Sequence, residues 1–135
     1  MGMTQPLVYM DSCTIIYLVE EHPIFAPQIE ARLQQAAGSS LAYTALSEME
    51  CLVIPFRNQQ QVVIDKFRDW FQRAHFLTLE RVIFEDAAKL RAQHSRLKTP
   101  DAIHLAAAVH HGCAEFWTND DRLNTIAPGL AMKVS

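Results

Sequence analysis

The sequence predicts an α/β fold, with a mainly parallel sheet of about five strands flanked by helices on both faces. Three observations predict it. Short apolar runs alternate with longer helical patterns along almost the whole chain, which is the order of βαβ units. The segment after Thr99-Pro100 is apolar on most sides, as a helix buried against a sheet is. Two strand-like runs end on acids: Leu7-Val8-Tyr9-Met10 leads into Asp11, and Phe116-Trp117-Thr118-Asn119 leads into Asp120. Open α/β sheets build their sites outside the carboxyl ends of such strands.

The elements follow in order. Residues 7–10 form the first strand, and Ser12 caps a helix through Ile15, Ile16, Leu18 and Val19 that ends near Pro23. Pro27 suits the first turn of a second helix, in which Ile29 and Leu33 stand four apart and Gly38 gives the stop. Leu41-Ala42-Tyr43 is a short strand, and Thr44 caps a helix carrying Leu46, Met49, Val53 and Ile54, with Pro55 near its end. Gln59 to Ala74 is amphipathic, with Val63, Phe67, Trp70 and Phe71 at helical spacing, as a core or dimer face. A third strand is expected at Phe76–Leu79, a helix from Val82 to Leu97, and another from Thr99-Pro100 to Gly112. Residues 115–118 are a strand, Asp121 to Asn124 a turn or short helix, and Leu130 to Val134 a fifth strand.

At 135 residues, half of them hydrophobic and a fifth charged, the chain suits one globular domain over 1–135 with a full core. Its longest apolar stretches, such as Leu105 to Val109, are far below the ~20 residues that span a bilayer. No basic region precedes a long apolar run at the N-terminus, so the expectation is a cytoplasmic protein with no membrane partner. Cys13, Cys51 and Cys113 are odd in number and widely spaced, which fits buried free thiols rather than a disulfide framework or zinc knuckle. Net charge is −3, against a broad cationic nucleic-acid binder. Residues 57–98 nevertheless carry +4, which leaves −7 on the parts holding the strand-end acids.

Four segments place an acid at a junction between elements: Asp11, Glu50 with Glu48 nearby, Asp101 in the first turn of its helix, and Asp120 beside Asp121. Carboxylates held close repel unless a proton or a cation sits between them. Oxygen ligands from separate elements suit Mg²⁺ or Mn²⁺. Such an ion can activate a water and stabilise charge on a phosphate. Each acid also has a plain structural account. Asp101 complements its helix dipole, Asp120 and Asp121 suit a turn, and Glu48 and Glu50 suit an exposed helix face. Asp11 is the hardest to dismiss, because burial at a strand end without a partner is costly.

The chain resembles PIN-domain proteins of the VapC toxin group along nearly its full length. Val8-Tyr9-Met10-Asp11-Ser12 resembles the first acidic motif. Glu48-Met49-Glu50-Cys51 running into Pro55-Phe56-Arg57 resembles the second, and matches Glu50 better than Glu48. Thr99-Pro100-Asp101-Ala102-Ile103-His104 is the most specific match, and Thr118-Asn119-Asp120-Asp121 resembles the last. The resemblance implies a PIN-like nuclease domain acting as a Mg²⁺- or Mn²⁺-dependent endoribonuclease. Asp11 and Asp101 are then the principal metal ligands, Glu50 and Asp120 complete the catalytic site directly or through water, and all four converge at one end of the sheet. Ser12, Thr118 and Asn119 take supporting roles. The family also implies an RNA substrate, a homodimer and a cognate antitoxin.

Arg57, Arg96, Lys98 and Arg122 flank the acidic motifs and either contact RNA phosphates or are solvated surface. His104 lies one turn after Asp101, where a hydrogen-bonded core histidine is expected over a metal ligand. His110 and His111 complement the helix dipole and are not expected to bind metal. Competing readings are a PIN-fold binding module without catalysis, a receiver-type phosphoacceptor domain and an aspartate-nucleophile phosphatase. The receiver has faint support from Lys133 but lacks early paired acids. The phosphatase needs a second Asp where Cys13 stands.

Overall fold

The structure, a computed structural model, describes residues 5–126 and the backbone of 131–133. The chain runs β1 (Leu7–Met10), α1 (Ser12–Val19), α2 (Phe25–Gln35), β2 (Ser40–Tyr43), α3 (Ala45–Arg57), α4 (Gln61–Arg73), β3 (His75–Phe76), α5 (Arg81–Gln93), α6 (Thr99–His110), β4 (Glu115–Thr118), α7 (Asp121–Ile126) and β5 (Ala131–Lys133). The five strands form one sheet in the order β3-β2-β1-β4-β5, and every pair is parallel. β1 is central, with Val8 in register with Leu41 on one side and Glu115 on the other. From β1 the chain steps outward to β2 and β3, then returns to lay β4 on the other flank. The switch point therefore lies between β1 and β4. This order differs from the 2-1-3-4-5 arrangement of flavodoxin-like folds, and so counts against the receiver reading.

Strands covered on both faces are apolar at consecutive positions, and β1 is an example. Tyr9, Ala42 and Phe116 point to one face and pack with Ile83, Leu105 and Leu123 from α5, α6 and α7. Val8, Met10, Tyr43 and Trp117 point to the other and pack with Ile15, Ile29, Cys51, Phe67 and Phe71 from α1 to α4. Tyr9 stacks on Phe116 with ring centroids 5.2 Å apart, so β1 and β4 are joined by side chains as well as by the ladder.

Several boundaries differ from expectation, each for a local reason. Asp11, not Ser12, caps α1: its Oδ1 accepts the Ser12 backbone N–H at 2.8 Å. Lys98 is the capping residue of α6, with Thr99 and Pro100 already inside the helix. α5 stops at Gln93, short of the expected Leu97. The next four residues turn back, and the Arg91 guanidinium ties down the Leu97 carbonyl at 3.0 Å and the Thr99 hydroxyl at 2.9 Å. β3 is two residues long and earlier than the expected 76–79: Leu77 still donates to the Tyr43 carbonyl, but Thr78 turns toward Glu80. The fifth strand is present at Ala131–Lys133, while Leu130 and Val134 lie outside the described residues.

α6 ends in a Schellman motif, in which the Cys113 N–H reaches the Ala108 carbonyl at 2.9 Å and the Gly112 N–H reaches the Val109 carbonyl at 3.1 Å. Gly112 takes the left-handed conformation this requires, with φ +68°. In urea denaturation, Phe116→Ala is expected to lose about 3–5 kcal/mol of stability through its buried cavity. Gly112→Ala, whose new methyl meets open space, is expected to lose about 1–2 kcal/mol through backbone conformation alone.

Candidate functional site

Because β1 and β4 are parallel neighbours, their carboxyl ends open into one crevice. The Asp11 N–H donates to the Trp117 carbonyl at 2.9 Å, which carries the pairing one residue past β1. The Asp11 side chain is 9% exposed and well held. Oδ1 accepts the Ser12 N–H, and Oδ2 accepts the Thr118 hydroxyl at 2.8 Å and faces the Cys13 thiol at 3.6 Å. Thr118 is fully buried, and its oxygen also accepts the Asp120 N–H at 3.1 Å. One hydroxyl thus ties the two strand-end acids together. Asp120 in turn is forked by Arg122: Oδ1 accepts the Arg122 N–H and Nε, both at 3.0 Å, and Oδ2 accepts a terminal guanidinium nitrogen at 2.7 Å. These Arg122 bonds hold the Asp120 carboxyl below its ordinary pKa.

Glu50 comes from the middle of α3 and joins the cluster through Ser12, whose hydroxyl donates to its Oε1 at 2.6 Å. The same oxygen lies 2.6 Å from His104 Nε2. His104 is 1% exposed, and its Nδ1 lies 2.6 Å from the Tyr9 hydroxyl, which is 3.0 Å from the Thr44 hydroxyl. One consistent set of donors fits this chain. Thr44 donates to Tyr9, Tyr9 to Nδ1, and Nε2–H to the Glu50 carboxylate, with roles assigned by the network itself. Burial pushes the Tyr9 phenol well above its usual range, so it donates as the neutral group. Burial also pushes Glu50 up, but the His104 and Ser12 hydrogen bonds and the attraction of the imidazole more than offset it. Its carboxyl lies below the ordinary value. His104 is therefore the hydrogen-bonded core histidine expected, and it also holds an acid of the cluster.

Asp101 stands apart from the other three. It sits half-buried in the first turn of α6, and its side chain makes no hydrogen bond among the described residues. Burial and then the charge of Asp11 raise its pKa, His104 opposes them, and Asp120 and Arg122 add smaller contributions of opposite sign. The four acids share one end of the sheet, but they are not packed on one another. Among the described residues, the group of three ligand atoms lying mutually within 4.8 Å is Glu80, His110 and His111, far along α6 from Asp101.

The flanking residues divide. Arg96, Asp101 and Arg122 line a cleft of about 410 Å³ with Leu97, Leu123 and Ile126. The charge of Lys98 helps lower the Asp120 carboxyl. Arg57 ends α3, seven residues past Glu50 or about 10 Å along the helix, and is not part of that cleft. Glu48 faces a different depression, with Tyr43, Arg68 and Phe71. The Asn119 amide donates to the Tyr17 hydroxyl at 3.5 Å, toward α1. A larger hollow of about 520 Å³ opens at the start of β2 and β3, lined by Ser39, Trp70 and His75, and contains none of the acids. Cys51 and Cys113 are buried thiols as expected, whereas Cys13 is only partly buried. Sequence reasoning missed Tyr9 and Thr44. The available signal was a tyrosine inside an otherwise apolar strand, since a buried phenol needs a partner.

The PIN domain family matches residues 8–128, and the chain belongs to that family. No curated protein matches it. Solved structures share its fold at low identity. VapBC2 from Rickettsia felis, bound to a promoter DNA fragment, is 11% identical with a TM-score of 0.78, covering 96% of this chain and 99% of that one. A toxin–antitoxin complex from Klebsiella pneumoniae is 23% identical with a TM-score of 0.75, covering 93% and 96%. VapC20 from Mycobacterium tuberculosis, a Sarcin-Ricin loop cleaving toxin, is 11% identical with a TM-score of 0.74, covering 89% and 95%. Among the described residues, no helix is long and apolar enough to cross a membrane.

The charge pattern has a titration consequence. In metal-free protein Asp101 is expected to titrate above ordinary aspartate, and Asp11→Asn should shift it down by removing the larger of the two carboxylate charges. Because the folded-state pKa is the higher one, the folded chain holds the proton longer. Stability then falls as pH rises from the unfolded to the folded pKa, and Asp101→Asn should be no less stable than wild type at neutral pH. Carboxyl ¹³C NMR titration and thermal melts at two pH values check both points. An Asp101 that titrates at or below the usual value contradicts the charge pattern.

Proposed function

We propose that this protein is a metal-dependent endoribonuclease and the toxin of a toxin–antitoxin pair. One observation carries the reading: Asp11, Glu50 and Asp120 are fastened together through Ser12 and Thr118 at the switch point of a PIN fold, with Asp101 beside them as an unpaired charge. The solved structures of similar fold include VapBC complexes and a Sarcin-Ricin loop cleaving toxin, which supports the same class. The whole of 1–135 acts as one nuclease domain in the cytoplasm, as a homodimer whose partner is a cognate antitoxin.

The donor set fits a hard divalent cation, Mg²⁺ or Mn²⁺. The ligand atoms are carboxylate oxygens, and the excess negative charge on Asp101 is what a cation neutralises. The spread of the acids suits Mg²⁺ in particular, because that ion keeps several waters and takes few carboxylates directly. When bound, the ion lowers the pKa of a water and stabilises charge on phosphate oxygens. Asp11 and Asp101 would hold it. Glu50 offers Oε2, its Oε1 being taken by Ser12 and His104. Asp120, both of whose oxygens are engaged by Arg122, acts through water.

The protein's own residues do the rest. Ser12 and Thr118 fix the carboxylate orientations, and Tyr9 with His104 keeps Glu50 ionised and in one rotamer. Asn119 braces the turn that carries Asp120. Arg96, Lys98 and Arg122 lie around the cleft beside Asp101 and pair with RNA phosphates, which positions the strand. Arg57 is a remote phosphate contact at most, on the far end of α3.

Cleavage of RNA by purified protein with Mg²⁺ or Mn²⁺ tests the reading. Ser12→Ala and Thr118→Ala, which unfasten ligand side chains, should lower activity about 10–100-fold. Asp11→Asn and Asp101→Asn should exceed that loss. Retained cleavage in both Asp variants sinks the assignment. Binding of metal and antitoxin by wild type with no cleavage indicates a non-catalytic module instead.

A further inference from the structure

The end of α6 remote from Asp101 carries a second cluster of titratable side chains. Nine residues of helix, about 14 Å, separate Asp101 from His110. There the C-terminus of α6 meets the N-terminus of α5. His110 Nε2 lies 3.0 Å from Glu80 Oε2, and His111 Nε2 lies 3.8 Å from the same oxygen. One ligand atom from each residue falls within 4.8 Å of the others. A tetrahedral ion with bonds of about 2.0–2.1 Å spaces its ligands about 3.3 Å apart. The two distances from the imidazole nitrogens to Glu80 Oε2, 3.0 and 3.8 Å, bracket that separation. We propose that Glu80, His110 and His111 form a binding site for a Zn²⁺-class transition-metal cation, separate from the carboxylate cluster.

The donor chemistry selects the class of ion. Two imidazole nitrogens and one carboxylate suit Zn²⁺, Ni²⁺ or Co²⁺, whereas Mg²⁺ wants oxygen alone. The surroundings hold the ligands in place. The Thr78 hydroxyl donates to Glu80 Oε1, which leaves Oε2 facing the imidazoles. The Schellman motif fixes the backbone of His111 and Gly112. The negative end of the α6 dipole favours a cation at this point. His111 Nε2 also sits 2.8 Å from the Thr78 carbonyl, so without metal its proton lies there. On binding, that proton moves to Nδ1 of the same ring and the Thr78 carbonyl is left as a neighbouring oxygen donor. His110 and Glu80 are exposed and His111 partly so, which gives an ion a path in and leaves a position for water. An ion here would clamp the start of α5 to the end of α6.

Calorimetric titration of tag-free protein with Zn²⁺, together with thermal melts, tests the site. Wild type should bind one equivalent that excess Mg²⁺ does not displace, and Zn²⁺ should raise its Tm. Asp11→Asn/Asp101→Asn should keep both effects, which separates this site from the acidic one. His110→Asn/His111→Asn should weaken binding by at least about 100-fold and abolish the Tm shift. Glu80→Gln, which preserves shape, should weaken it in the same direction while circular dichroism stays unchanged. Zn²⁺ binding that survives the double His substitution, or that disappears with the Asp pair, overturns the proposal.

Discussion

The parallel pairing of β1 with β4 is the contact on which the rest of the site depends. It is made where the chain reverses its direction across the sheet, so the two strand ends have no crossover helix between them. Side chains reinforce it from both faces: Tyr9 stacks on Phe116, and Met10 and Trp117 share the opposite core. The Asp11 N–H to Trp117 carbonyl bond and the Thr118 hydroxyl then carry the pairing past the ends of the strands. A slip of one residue would turn Thr118 from Asp11 toward the wrong face, because successive strand residues alternate. The buried apolar alternation on both strands forbids that slip. Core packing thereby sets the geometry of charged groups that are not themselves part of the core.

Like charges gathered at one sheet end repel, and three of the four acids are stabilised, each in its own way. Asp11 takes a backbone N–H and a buried hydroxyl on separate oxygens. Glu50 takes a chain of hydrogen bonds that runs back through His104 and Tyr9 into the core. Asp120 pairs with the full positive charge of Arg122. Asp101 has none of these, and its pKa moves up where those of Glu50 and Asp120 move down. The asymmetry matters for chemistry. A site in which every acid was paired would have little reason to attract a cation, and one in which none was paired would lose protons late and order poorly.

What was legible in the sequence follows the range of the interactions involved. The strands β1 and β4 were legible because parallel strands buried on both faces carry apolar residues at consecutive positions, Leu7–Met10 in one and Phe116 with Trp117 in the other. β3 was misplaced because a two-residue edge strand leaves almost no pattern, and the apolar Leu77 and Leu79 beyond it serve packing instead. The end of α5 was overrun because Leu97 is apolar at a plausible spacing, although it is held by Arg91 in a turn. Asp11, Asp101 and Asp120 were visible at element junctions. Glu50 and Glu48 were indistinguishable by local pattern, since two positions on a helix differ only in what other elements bring to them. The bond between Tyr9 and His104 spans 95 positions and has no local signature at all. The same limit explains His110 and His111, whose dipole role is local and whose meeting with Glu80 depends on how α5 and α6 pack.

That packing gives α6 a particular mechanical position. It is buried along its middle by His104, Leu105 and a run of alanines, whose small side chains let it lie close to the sheet and α5. Its two ends carry the two polar clusters: Asp101 faces the strand-end crevice, and His110 and His111 meet Glu80 at the other end. A rigid helix transmits displacement along its axis better than a loop does, and here the middle of the helix also contributes His104 to the support of Glu50. One helix therefore supplies Asp101 directly and supports Glu50 through His104. The helix with the most continuous run of buried residues is thus also the one that carries residues of both polar clusters.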